Sequence, residues 1–164
     1  MSAAVKDILV RKSIVVNAPK DHVFKTFTER IDTWWPRDHH IGGKTPYVAI
    51  MEPRKGGRWY ERADDGTECN WGRVLAWDPT DRVLLTWDIN AEFKYQADFG
   101  SEVEITFAAE SKERTRVVLE HRKLELFGDK AEMMRAMFDS ENAWAGTLAA
   151  FAKVAERDSK GASK

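Results

Sequence analysis

The chain has 164 residues, of which 43% are hydrophobic, and its 26 basic and 27 acidic residues give a formal net charge of −1. This size and composition fit one globular domain, and the even mixture of charges along the chain provides no basic face, so we expect no nucleic-acid partner. No apolar run approaches the ~20 residues that a membrane span needs, so we expect no membrane partner either.

Cysteine usage and the N-terminus bear on the cellular compartment. Cys69 is the only cysteine, so the chain forms no internal disulfide, as is usual in a reducing cytoplasm. Residues 1–11 lack the apolar core of a signal peptide. We therefore expect a cytoplasmic protein. Cys69 has no base beside it in the sequence that would activate it as a nucleophile.

The N-terminal part predicts one strand followed by two short helices. Residues Leu9 to Val16 end in a β-branched run that is typical of a strand. Pro19 suits the first turn of a helix, because its missing N–H has no partner to lose there. Apolar residues then follow at helical spacing, namely Val23, Phe24, Phe27 and Ile31. A second short helix, which ends at Pro36, is predicted to carry the pair Trp34-Trp35.

From Tyr47 onward the apolar pattern changes to that of β-strands. The Asp65-Gly66 dipeptide between two such runs is a strong hairpin signal, and short connections favour antiparallel pairing. Residues Ala91 to Gly100 predict a long loop. The predicted strands are Tyr47–Glu52, Gly57–Ala63, Glu68–Trp77, Arg82–Ile89, Glu102–Ala109 and Thr115–His121.

The C-terminal segment is helical in pattern. Asp129 and Glu132 resemble a capping box, and Asp139-Ser140 predict an interruption before a separate final helix. That helix has one apolar stripe, formed by Trp144, Leu148, Phe151 and Ala155. The element order predicts an α+β fold in which a curved antiparallel sheet packs on the C-terminal helix and leaves a cavity between them.

Several short motifs, taken in their order along the chain, resemble the START-like or SRPBCC superfamily. The resemblance covers residues 10–156 and points to the branch named after the activator of the ninety-kilodalton heat-shock protein ATPase. The motifs are Ile14-Val15-Val16-Asn17-Ala18-Pro19, Gly56-Gly57-Arg58-Trp59, Gly72-Arg73-Val74, Leu85-Thr86-Trp87, Thr115-Arg116-Val117, and Trp144 with Leu148.

The resemblance implies a helix-grip fold, with an antiparallel sheet of about seven strands around a long C-terminal helix. It implies binding of hydrophobic ligands as the common theme of the superfamily, with cyclases and hydrolases as a minority. A single domain over residues 10–156 then follows an N-terminal extension, 1–9, and precedes a tail, 157–164, that is expected to be disordered.

Seven tryptophans are the most informative feature of the composition. Indoles mixed with a few polar groups are the usual lining of a small-molecule site, although plain core packing explains them equally well. The candidate ligand-binding residues are Trp35, Trp59, Glu61, Trp71, Trp87, Phe107, His121, Met137 and Trp144.

Strand alternation places Glu61 and His121 on faces that otherwise carry apolar side chains. If the two met across the cavity, they could act as an acid and a base or hold the polar end of a ligand. The alternative is that Glu61 bonds an arginine or an indole N–H, while His121 is a hydrogen-bonded core histidine.

The run Asp38-His39-His40 contains good metal ligands. However, neighbouring histidines in a loop usually point apart, and no second cluster of ligands lies at a suitable spacing. We therefore expect no metal and no cofactor.

Three functions remain open from the sequence. The favoured one is a binding or carrier protein for a small hydrophobic or aromatic molecule. The second is an enzyme that uses Glu61 and His121. The third is a stress-related protein-interaction module, which predicts an exposed apolar patch involving Trp34, Trp35 or Tyr95. A homodimer is compatible with each of the three.

Overall fold

The computed structural model describes residues 8–44 and 46–162, with side chains described as far as Ser159. The predicted N-terminal extension, 1–9, therefore lies almost wholly outside the described residues. The strands are β1 (Val10–Val16), β2 (Tyr47–Met51), β3 (Arg58–Ala63), β4 (Glu68–Asp78), β5 (Arg82–Trp87), β6 (Ser101–Ser111) and β7 (Arg114–Arg122). The helices are α1 (Lys20–Thr28), α2 (Ala131–Asp139) and α3 (Gly146–Ala162).

The strands form one seven-stranded antiparallel sheet in the order β1-β7-β6-β5-β4-β3-β2. Every strand from β2 to β7 pairs with its neighbour in the chain, as short connections predict, and β1 closes the β7 edge. The sheet curls as a half-barrel, and the C-terminal helix packs against its concave side. The predicted α+β helix-grip fold is thus confirmed. None of the described helices is both long and apolar enough to cross a membrane.

The concave face of the sheet is the apolar one, as strand alternation predicts. Val103 pairs with His121, Ile105 with Leu119, and Phe107 with Val117, and all six side chains are buried. Leu148, Phe151 and Ala155 of α3 are buried as well. The helical stripe and the inward strand positions therefore form one core.

Three local predictions are wrong. A short 3-10 turn, Ile31–Thr33, precedes the pair Trp34-Trp35 instead of a helix that contains it. The helix α2 begins only at Ala131 with no side-chain cap, because residues 124–130 form a 3-10 segment in which Gly128 has φ +64°. The tail, expected to be disordered over 157–164, is helical as far as Ala162, and its last two positions lie outside the described residues.

Strand β4 approaches β5 very closely at Gly72. A Cβ atom there would lie 1.9 Å from the carbonyl oxygen of Thr86. The same oxygen accepts the indole N–H of Trp59 at 2.7 Å. Glycine therefore permits a backbone contact that also sets the position of a buried tryptophan.

Candidate functional site

Most of the tryptophans form a packed aromatic cluster. The ring centres of Trp35 and Trp71 are 4.9 Å apart, and Trp59 lies 5.3 Å from both Trp71 and Trp87. Trp144 joins the cluster through Trp35 and Trp87, each at 6.3 Å. All five rings are at most 7% exposed. The concave face is thus largely filled by interlocked indoles and is not an empty chamber.

A pocket of about 290 Å³ remains at one end of this cluster. It lies between the loop after Trp35, the end of β5 and the turn that joins α2 to α3. Its floor consists of buried rings, and exposed residues such as Asp38 and Asn142 form its rim. The lining residues are Trp35, Asp38, His39, His40, Ile41, Trp87, Phe93, Met137, Phe138, Ser140, Asn142, Ala143, Trp144 and Thr147.

Four of the nine residues that we singled out in the sequence line this pocket, namely Trp35, Trp87, Met137 and Trp144. Trp59 and Trp71 lie behind Trp35, in contact with its ring. Phe107 lies elsewhere in the core, with its ring 5.2 Å from that of Phe24 and 5.8 Å from that of Phe27. The pocket does not extend to Phe107, Glu61 or His121.

Glu61 is a buried anchor for the loop that forms one wall of the pocket. Its Oε1 atom accepts the backbone N–H groups of Ile41 at 2.5 Å and Gly42 at 2.9 Å, and the indole N–H of Trp71 at 2.9 Å. A Cβ atom on Gly42 would lie 2.9 Å from Oε2, so the close approach favours glycine. The carboxylate is therefore committed to holding β3, β4 and this loop together.

His121 is a fully buried core histidine with both ring nitrogens paired. The indole N–H of Trp144 donates to Nδ1 at 3.1 Å. On the other side Ser101 Oγ gives its hydrogen to the Trp87 carbonyl at 2.6 Å, and therefore accepts from Nε2–H at 3.2 Å. Burial lowers the pKa of His121 to about 3. The ring is neutral at physiological pH.

The structure does not bring Glu61 and His121 together. Their hydrogen-bond partners are entirely different groups, and neither side chain lines the pocket. An acid–base pair built from these two residues therefore has no geometric basis. The more ordinary alternatives, an indole partner for Glu61 and a paired core position for His121, describe what is found.

The turn between α2 and α3 gives the pocket an irregular wall. Residues Glu141–Ala145 form a π-helical turn in which Ala143 has φ −95° and ψ −122°, outside the helical region. This break places Asn142, Ala143 and Trp144 on the pocket. Single π-helical turns are frequent at functional sites, because they redirect side chains within an otherwise regular helix.

The polar part of the pocket comes from the run Asp38-His39-His40, which the sequence suggested only as a metal site. Nδ1 of His39 lies 3.3 Å from Thr147 Oγ1, and Nδ1 of His40 lies 2.6 Å from the carbonyl oxygen of Gly42. The described residues contain no group of three or more side chains placed to bind a metal ion. The two histidines are thus held in place by protein atoms and line the pocket.

Sequence reasoning missed most of the pocket wall. Phe93, Phe138, Asn142 and Thr147 come from the loop after β5, from α2, from the π-helical turn and from α3, and in the sequence each is an ordinary loop or helix residue. Apart from the four predicted residues, only the Asp38-His39-His40 run, close to the tryptophan pair, carried a usable signal.

Comparison with known proteins relates the chain to one family. The family model described as activator of Hsp90 ATPase homolog 1-like protein matches residues 17–156. No curated protein sequence matches the chain.

Several solved structures are similar over nearly their whole length. An anthrahydroquino-γ-pyrone synthase, Txn09, is 41% identical with a TM-score of 0.62, and the match covers 89% of this chain and 96% of the synthase. CalC, a self-sacrificing resistance protein from Micromonospora echinospora, is 30% identical with a TM-score of 0.70, covering 93% and 96%. The Aha1 dimer from Colwellia psychrerythraea is 15% identical with a TM-score of 0.62, covering 91% and 96%, and shares the fold.

Proposed function

We propose that this chain, which belongs to the activator of Hsp90 ATPase homolog 1-like family, binds a small, largely apolar aromatic molecule in the pocket between Trp35, Trp87 and Trp144. The observation that carries the proposal is the pocket itself, which has a buried aromatic floor and a polar rim. Its volume of about 290 Å³ is close to the lower limit of the ~300–1,000 Å³ range of ligand sites.

The lining favours flat aromatic rings over flexible chains. Trp35, Trp87, Phe138 and Trp144 offer ring faces and edges, against which aromatic groups stack or pack edge-to-face. Met137 adds an unbranched side chain that can adapt to the outline of a ligand. A rigid fused-ring molecule would lose little conformational entropy on entering such a pocket.

The name of one relative agrees with this ligand class. The 41% identical structure is called an anthrahydroquino-γ-pyrone synthase, a name that describes a fused aromatic product. The 30% identical structure is called a resistance protein. We extend the fused aromatic chemistry in the name of the synthase to this chain.

The other two functions have less support. The acid–base pair of Glu61 and His121 does not reach the pocket. The interaction module required an exposed patch, whereas Trp34 and Trp35 are only 4% and 5% exposed. Of the three aromatic residues named for such a patch, only Tyr95 is exposed, at 39%. The homodimer stays a prediction.

The proposal is tested by titrating the 15N-labelled protein with 2-methoxynaphthalene and following the indole N–H resonances. We expect the signals of Trp35, Trp87 and Trp144 to shift together, while that of Trp77, which packs on Phe24 outside the pocket, stays in place. Absence of binding, or shifts centred on Trp77, would contradict the proposal.

A matched pair of variants sharpens the test, because Trp34 and Trp35 are adjacent, similarly buried and both hydrogen-bonded to a carbonyl. Only Trp35 lines the pocket. Trp35→Phe should weaken binding roughly two- to tenfold, as expected for loss of an aromatic contact of about 0.5–1.5 kcal/mol. Trp34→Phe should leave the affinity unchanged, although it also replaces a buried indole by a smaller ring.

A further inference from the structure

The pocket contains one imidazole whose tautomer the surrounding bonds define. Thr147 Oγ1 has a single hydrogen, which it donates to the Ala143 carbonyl at 3.0 Å. Toward His39 the same oxygen can therefore only accept, so Nδ1 of His39 carries the hydrogen and donates it over 3.3 Å. The neutral ring is then left with its lone pair on Nε2.

Nε2 of His39 has no hydrogen-bond partner among the described residues. Asp38 Oδ1 lies 3.9 Å from it, and the Asp38 side chain is 89% exposed. The ring itself is only 30% exposed and meets the edge of Trp35 at 6.2 Å between centres. The structure therefore presents a fixed hydrogen-bond acceptor on the wall of an aromatic pocket.

The charged and titratable surroundings of this acceptor are few. Asp38 and His40 line the pocket from the same loop, and the other lining residues, from β5, α2, the π-helical turn, α3 and Phe93, are uncharged. A lone pair on Nε2 accepts a ligand hydrogen and repels a ligand carbonyl or other lone pair. The site thus selects donors over acceptors.

We infer that the pocket takes a hydroxylated aromatic ligand, of the phenol, enol or hydroquinone class, whose O–H donates to Nε2 of His39. The inference rests on the proposed function and specifies its ligand. The rings of the ligand lie among Trp35, Trp87 and Trp144, and the hydroxyl defines their orientation. Thr147 is a positioning residue, because it acts only by holding the His39 ring in the accepting tautomer.

The test compares 2-naphthol with 2-methoxynaphthalene, which has the same rings but no O–H. We expect the wild-type protein to bind 2-naphthol roughly two- to tenfold more tightly at neutral pH, the gain typical of one hydrogen bond. A purely structural role of His39 would not produce a preference that depends on the ligand hydroxyl.

Variants assign the effect to one ring. His39→Gln and Thr147→Val should each reduce the preference for 2-naphthol while 2-methoxynaphthalene still binds. The control His22→Gln removes a histidine on α1 that bonds Ala155 outside the pocket, and should leave the preference intact. The affinity ratio in the wild-type protein needs no variant, so it remains decisive even where a variant fails to fold.

The outcomes separate the two proposals. Equal affinity for both probes, or a preference that is lost in His40→Gln but kept in His39→Gln, overturns the present inference and leaves the proposed function standing. If neither probe shifts the indole N–H resonances of the pocket tryptophans, the proposed function is overturned, and this inference with it.

Discussion

The indole N–H of Trp144 donates to Nδ1 of His121 across 3.1 Å, which ties the wall of the pocket to the centre of the sheet. The chain of bonds continues through Nε2–H to Ser101 Oγ and from Ser101 to the Trp87 carbonyl. Two of the pocket tryptophans are therefore linked by one buried polar network. A fully paired network of this kind fixes side-chain positions within an apolar core.

This network makes the protein sensitive to acid. Burial lowers the pKa of His121 to about 3 in the folded state, whereas an unfolded histidine titrates near 6.5. A lowered histidine pKa stabilises the fold above about pH 6.5, and that stability is lost as pH falls toward about 3. Protonated His121 would also turn an N–H toward the N–H of Trp144.

Urea unfolding at pH 7, 6 and 5 measures the effect. We expect the free energy of unfolding to fall by up to about 1.4 kcal/mol per pH unit below 6.5 from this residue alone. In the variant His121→Gln the free energy of unfolding should depend much less on pH in this range. In His22→Gln it should fall as it does in the wild type. Parallel profiles for the wild type and His121→Gln would refute the assignment.

Replacing Glu61 tests its role as an anchor. In Glu61→Gln the amide oxygen carries no negative charge and is a weaker acceptor for three N–H donors than the carboxylate oxygen. We therefore expect the free energy of unfolding to fall by about 1–3 kcal/mol. Amide hydrogen exchange at Ile41 and Gly42 should accelerate, because these N–H groups bond Oε1. Glu113→Gln, at an exposed position of the turn between β6 and β7, is the control and should change neither quantity. Unchanged exchange at Ile41 would exclude the anchoring role.

The close contact at Gly72 predicts strong destabilisation by a single methyl group. In Gly72→Ala the new Cβ would meet the Thr86 carbonyl oxygen at 1.9 Å, so the strands must separate. We expect a loss of at least about 3 kcal/mol, at the upper end for overpacking. Gly43→Ala is the matched control, since nothing lies within 4 Å of its Cβ position. Thermal unfolding of both variants compares them directly, and similar midpoints would contradict the prediction.

The strands and the core could be predicted because their cause is local. Alternation of apolar residues specifies which face of a strand is buried, and the Asp65-Gly66 turn, where Gly66 has φ +89°, specifies an antiparallel neighbour. The capping box at Asp129 and the helix around Trp34 failed because the surrounding core overrode local preference. Before α2 the positive φ of Gly128 interrupts the helix. After the 3-10 turn the burial of Trp34 and Trp35 takes the place of a regular helix.

The sequence by itself determined the antiparallel sheet, the apolar stripe of the last helix and the wealth of indoles between them, since each follows from the spacing of side chains along the chain. Only the tertiary structure decided which indoles pack together and which face a cavity. The roles of Glu61, His121 and His39 also depend on it, because their partners Ile41, Trp144 and Thr147 are distant in sequence. A polar side chain acquires its function from the groups that surround it in space, and periodicity carries no information about them.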